Sequence, residues 1–244
     1  MKKLFAWTLA AVLLVSLAAL PGYGQTAQDV LKKIIDAQGG RKYLETIIDS
    51  TSSGTMELTA MGMSGTFTTY QKEPNKLRMD MDIMGMTITQ AYDGQKGWFT
   101  NPQNGNAVEE MSEAQSKQFA RQAMGNDYLL NPQKYGVTYT LKPAVKLENK
   151  DYIVLEQTTA DGQKITLYID PSTYLTYKVE LMTLGQAGTD VKMEVYSSDY
   201  KKIGQSLVPH FQRIVQDGAE FGKMVVTKVT FNDKLEDSLF AMNK

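Results

Sequence analysis

Arg78-Met79-Asp80-Met81-Asp82-Ile83 alternates polar and apolar side chains without a break. Successive residues of a strand point to opposite faces of a sheet. Met79, Met81 and Ile83 therefore share one face, and Arg78, Asp80 and Asp82 share the other. One dry face and one wet face is the signature of an antiparallel sheet rather than a parallel one.

The same period recurs along the chain. Ile165, Leu167 and Ile169 oppose Lys164, Thr166 and Tyr168, and Val191, Met193 and Val195 oppose Lys192 and Glu194. Between such runs stand turn signals. Gly62 and Gly85 each sit inside Met-Gly-Met, and Pro74-Asn75, Asp93-Gly94, Asn104-Gly105, Asn149-Lys150-Asp151, Asp161-Gly162 and Asp170-Pro171 follow. These residues supply the positive or preset φ that tight antiparallel connections need. About twelve strands spaced roughly ten residues apart are expected, ending near 223–231, which suggests one large curved sheet or barrel.

Helical spacing appears in few places. Val30, Leu31, Ile34 and Ile35 predict a helix over 27–38, stopped by Gly39-Gly40, with a second short one over 42–48. A mid-chain helix is expected over 109–124, with Ser112 and Gln115 as a capping box and Glu109-Glu110 meeting the positive end of its dipole. Residues 127–135 read as turns or a short helix, and Asp237 to Phe240 as a terminal turn that tucks Phe240 back.

The N-terminus points to export. Met1-Lys2-Lys3 is followed by an apolar run from Leu4 to Leu20, a Pro21-Gly22 break, and small residues flanking Tyr23 before Gln25. Charge, apolar core and small-residue cleavage site is the order of a secretory signal. A permanent anchor would need roughly 20 apolar residues, more than this run offers. Residues 1–24 are thus expected to be removed. Residues 25–244 are expected to form a single β domain in the periplasm, with no cysteine after the apolar run to carry a lipid.

The chain has no Cys, one His and a formal net charge of −1. Disulfides, thiol nucleophiles and thiolate metal sites are excluded, and there is no electrostatic case for nucleic acid. The lone His210, beside Pro209, reads as a surface or edge residue. It has no second histidine for zinc, no cysteine to pair with as a nucleophile and no Gly-x-Ser-x-Gly elbow. Asp80 and Asp82, on the polar face of their strand, read as solvated. No phosphate loop, dinucleotide fingerprint or calcium loop is present, so no cofactor and no enzymatic activity are expected.

Methionine is the unusual feature. There are 14, and Met56, Met61, Met63, Met79, Met81, Met84 and Met86 fall within one short stretch. Three readings stand: ordinary core filling; the wall of a cavity whose flexible side chains repack around varied apolar guests; and a thioether site for Cu(I).

Four segments resemble the LolA/LolB-like superfamily of periplasmic lipoprotein carriers, in its branch of outer-membrane lipoprotein-sorting proteins. They are Ala37-Gln38-Gly39-Gly40; Ala91-Tyr92-Asp93-Gly94-Gln95-Lys96-Gly97-Trp98; Tyr168-Ile169-Asp170-Pro171-Ser172-Thr173-Tyr174-Leu175; and Ser198-Asp199-Tyr200 running on to Leu207-Val208-Pro209-His210. The ending from Val229 to Phe240 also fits. The resemblance implies a half-open β-barrel, with helices as plug and lid over an apolar cavity for acyl chains of lipids or lipoproteins. The same fold serves envelope-stress sensors that engage an envelope protein, which is the alternative. No definite position carries the family's basic lid-latching residue; Arg78 falls on the polar face. The expected cavity lining is Met56, Leu58, Phe67, Leu77, Met79, Met81, Ile83, Trp98, Phe119 and Met124.

Overall fold

The computed structural model describes residues 24–185 and 188–242. The signal segment, apart from Gly24, lies outside the described residues.

Two helices lead. In α1 (Ala27–Ala37), Thr26 and Asp29 form a reciprocal capping box that satisfies two otherwise unpaired N–H groups. Its apolar residues divide between two stripes. Ala27, Val30 and Ile34 pack with Leu155 and Ile169. Leu31 and Ile35 pack with Leu44, Ile47 and Leu130, beside α2 (Arg41–Leu44). A helix buried on two adjacent stripes works as a plug between sheet and loops.

The strands form two meanders. The first holds β1 (Asp49–Leu58), β2 (Met63–Lys72), β3 (Lys76–Ile83), β4 (Met86–Tyr92), β5 (Gly97–Asn101) and β6 (Ala107–Glu110). Then come α3 (Glu113–Gln122) and α4 (Asn126–Leu130). The second meander holds β7 (Thr138–Leu147), β8 (Lys150–Thr158), β9 (Lys164–Ile169), β10 (Thr176–Leu184), β11 (Asp190–Ile203), β12 (Ser206–Gln216) and β13 (Ala219–Phe231). Among the described residues, all thirteen strands join one antiparallel sheet, because β13 pairs with β1 and fuses the meanders. The sheet is not closed: β6 and β7 are its two ends. Both ends are ill-suited to further pairing. β6 is four residues long and carries Glu109 and Glu110, and the register of β7 slips between Lys142 and Val145, around Pro143.

Glycines permit close backbone approach in β1 and β2. A Cβ on Gly54 would lie 1.9 Å from the carbonyl oxygen of Val225, and one on Gly65 would lie 2.0 Å from that of Asp82. Neighbouring backbone approaches so closely that only a residue without a side chain fits.

Two local expectations change. Glu109 and Glu110 belong to β6, not to the first turn of a helix. The Ser112–Gln115 capping box is present, and it starts α3 at Glu113. Residues Ala107 to Glu110 are thereby left extended, pairing with β5. His210 is buried at 4 % exposure on β12, well inside the sheet, rather than at a surface or edge. Its Nδ1 lies 2.9 Å from the carbonyl of Val208.

Candidate functional site

Directly opposed residues of an antiparallel pair share a face, so the register identifies the inner wall. Phe67 faces Met81, which faces Ile88; Met79 faces Gln90, which faces Phe99; Leu77 faces Tyr92. Met56 faces Gly65 on one side and Met224 on the other, carrying the wall across the β1–β13 seam. It continues through Ile214 opposite Val195, Met193 opposite Leu181, and Leu167 opposite both Val179 and Leu155. The face is inner because α3 covers one end of it, through Leu77, Tyr92, Met111 and Phe119, and α1 covers the other, through Leu155 and Ile169.

Of the residues expected to line a cavity, Met56, Leu58, Phe67, Leu77, Met79, Met81 and Ile83 share this face. Phe119 approaches it from α3. Phe67, Leu77 and Ile83 are buried, whereas Met56, Leu58, Met79 and Met81 are only half-buried. Across the seam, Val195, Ile214 and Met224 are half-buried too. None of these half-buried residues belongs to the packed clusters around α1, α2 and α3. The inner face is thus packed at its helix-covered ends and only half-covered in its middle.

Two cavities flank that middle. One, of ≈ 360 Å³, lies under α3 against Met79 and Phe99, and reaches Leu184 at the end of β10. The other, of ≈ 340 Å³, is lined by Leu44, Ile47, Met124, Leu129 and Phe231, with Asp49 and Glu73 at its wall. Met124 therefore borders a different hollow from Met79. Glu73 ties the β2–β3 turn to α4, accepting from the N–H of Asn126 at 2.6 Å and of Asp127 at 3.2 Å. Burial raises its pKa above the usual carboxylate value, and the two N–H donors oppose that shift. Arg41 reaches the far end of α4, donating to the carbonyl of Leu130.

Trp98 does not join the wall. It pairs with Ala91, which pairs with Arg78, so it lies on the outer face. There the chain after β13 folds back as a strap. Asp49 launches the strap by accepting from the N–H of Asp233 and of Leu235. Lys72 and Lys76 hold Asp237 at 2.7 and 2.9 Å. Arg78 donates to the carbonyl of Leu239 at 2.9 Å, and the Trp98 indole N–H donates to that of Phe240 at 2.8 Å. Phe240 is completely buried. Asp80, expected to be solvated, instead accepts from Arg78 and from the Thr89 hydroxyl. The terminal tuck of Phe240 is thus present, and it claims the tryptophan.

Sequence reasoning missed two parts of this region. The second-meander wall was visible in the alternation of 165–169 and 191–195 but was not connected to the methionines, because β13–β1 pairing joins residues far apart in the chain. The cavity-facing side of α3 also carries Gln115, Gln118 and Gln122 beside Phe119. Their spacing of three and four residues was the available signal.

Among the described residues, no group of three His, Cys, Asp or Glu side chains is placed to hold a metal ion. No described helix is long and apolar enough to cross a membrane.

No family model and no curated protein matches the sequence. Solved structures do match. A LolA superfamily protein from Nitrosomonas europaea superposes with a TM-score of 0.60 at 16% identity, covering 89% of this chain and 98% of the other. A domain provisionally described as an outer membrane lipoprotein-sorting protein, from Vibrio parahaemolyticus, gives 0.57 at 14% identity, covering 88% and 95%. A DUF1329 family protein from Desulfovibrio piger gives 0.60 at 13% identity, covering 88% and 97%. The fold is LolA-like. At such identities the likeness carries the architecture: a mainly β, unclosed antiparallel sheet with a few helices, as the resemblance in the sequence implied.

Proposed function

We propose that residues 25–244 act as one unit, a periplasmic carrier or chaperone that shelters acyl chains of a lipid or lipoprotein against the inner face, after residues 1–24 direct export. One observation carries the reading. The middle of the inner face presents Met56, Met81, Val195, Ile214 and Met224 half-buried, outside every packed cluster, in a sheet that never closes. A protein that needed this face only as core would fill it, since unfilled apolar surface forfeits both burial and contact energy. A guest restores both. Each buried CH₂ contributes about 0.8 kcal/mol, so an acyl chain binds without any catalytic group. Methionine suits the role because its unbranched, polarizable side chain repacks around guests of different shape. The described role of the Vibrio parahaemolyticus neighbour, lipoprotein sorting, agrees with this reading.

The test is native mass spectrometry and lipid extraction of protein purified from a periplasm, followed by titration with a fluorescent fatty-acid ester. Co-purified acyl species or saturable binding that Met81→Asp abolishes is the expected result. Empty protein that also ignores the probe would overturn the proposal.

A further inference from the structure

The cavity under α3 is not lined like a vessel for hydrocarbon alone. Gln90 from β4 and Gln115, Gln118 and Gln122 from α3 line it, beside the apolar Met79, Phe99, Met111, Phe119 and Leu184. Among the described residues, none that lines it is charged. The cations of α3 point elsewhere and are engaged: Arg121 pairs with Asp161 at 2.7 Å, and Lys117 with Glu113 at 2.6 Å. Gln115 is fixed in place, because its Oε1 accepts from both the N–H and the hydroxyl of Ser112; its Nε2 remains a donor.

Amides offer donors and acceptors together. Covering them with pure hydrocarbon would strip their water without replacement, an expensive step. An anionic head would lose hydration with no cation to offset it. A head of ester, amide or hydroxyl groups meets both needs, bonding the glutamines while its chain lies on Met79 and Phe99. We propose that this glutamine-lined cavity selects neutral acyl amphiphiles, whose heads are uncharged esters, amides or alcohols, over carboxylates and phosphates of equal chain length. The inference rests on the carrier reading and specifies its ligand.

The test compares equilibrium binding of monoolein, oleamide, oleate and oleoyl lysophosphatidic acid to the full mature chain at pH 8, below micelle-forming concentrations. An uncharged N-oleoyl peptide forms a further arm, separating a free lipid from an acylated polypeptide as the source of the head. The neutral probes are expected to bind at least about tenfold tighter than the anionic ones, the equivalent of one or two hydrogen bonds. In the double variant Gln118→Leu with Gln122→Leu, that margin is expected to collapse while oleate binding persists, with an unfolding curve confirming the fold. Equal affinities, or tighter oleate, would overturn this inference and leave the carrier reading standing. If no probe binds, both fall.

Discussion

Strands β3, β4 and β5 carry two faces of opposite construction. On the inner face Leu77 is packed under α3, but Met79, which borders the cavity beneath that helix, and Met81, further along the same strand, are only half-buried. On the outer face Arg78 and Trp98 bond to the strap, Asp80 bonds to Arg78 and Thr89, and Ala91 is fully buried. The nominally polar face is the better satisfied of the two. The outer surface of this meander is tied down by the strap, whereas its inner surface is packed only where α3 covers it.

That contrast can be broken most forcefully at Phe240. Phe240→Ala is expected to cost about 3–5 kcal/mol in denaturant unfolding, as for any fully buried Phe, while leaving the affinity for an acyl probe per folded molecule unchanged. Loss of binding in the folded variant would show that the faces are coupled. Next is Gly65→Ala, which forces a methyl against the Asp82 carbonyl. About 1–3 kcal/mol is expected, together with weaker probe binding, since flattening β2 and β3 reshapes the hollow. Trp98→Phe removes a single buried hydrogen bond and should cost about 1 kcal/mol, with no effect on binding. Met81→Ala, at a half-buried site, should cost under about 1 kcal/mol of stability yet measurably weaken the acyl probe. A stability loss as large as that of Phe240→Ala would mean that the inner face is solid core.

The smallest effect concerns pH. Hydrogen bonds from Lys72, and then from Lys76, hold the Asp237 carboxyl down at about 2. A depressed carboxyl contributes its full share above the unfolded value of about 3.9 and loses it as pH falls toward the folded one. The protection of the Phe240 amide against exchange, relative to an unstructured peptide at the same pH, should therefore fall between about pH 4 and pH 2. In Asp237→Asn that acid-dependent step should shrink, and high salt should weaken the wild-type protection, because Asp237 is exposed.

Much of the fold was legible because its signals are local. Alternation in 78–83 and 164–169, the Ser112–Gln115 cap and the 27–38 stripe each need only a handful of neighbouring residues. The candidate site was legible only in part. Met79 and Met81 share one face in the alternation, yet Trp98, expected in the same lining, falls on the other. Adjacent residues of a strand always point oppositely, and Phe99 took the inner place. His210 was misjudged for a related reason. Its proline neighbour suggests an edge, but β12 is enclosed by β11 and β13, and that enclosure depends on pairings made elsewhere.

The sequence by itself determined a mainly antiparallel β chain, the parity of each strand and the places where strands turn, because those follow from side-chain period and backbone conformational preference. Only the tertiary structure decided which parity faces inward, that the sheet stays unclosed, and that the strap rather than a ligand takes Trp98. Those outcomes depend on contacts between residues distant in the chain, above all β1 with β13 and Trp98 with Phe240. Local chemistry permits such contacts but cannot select them.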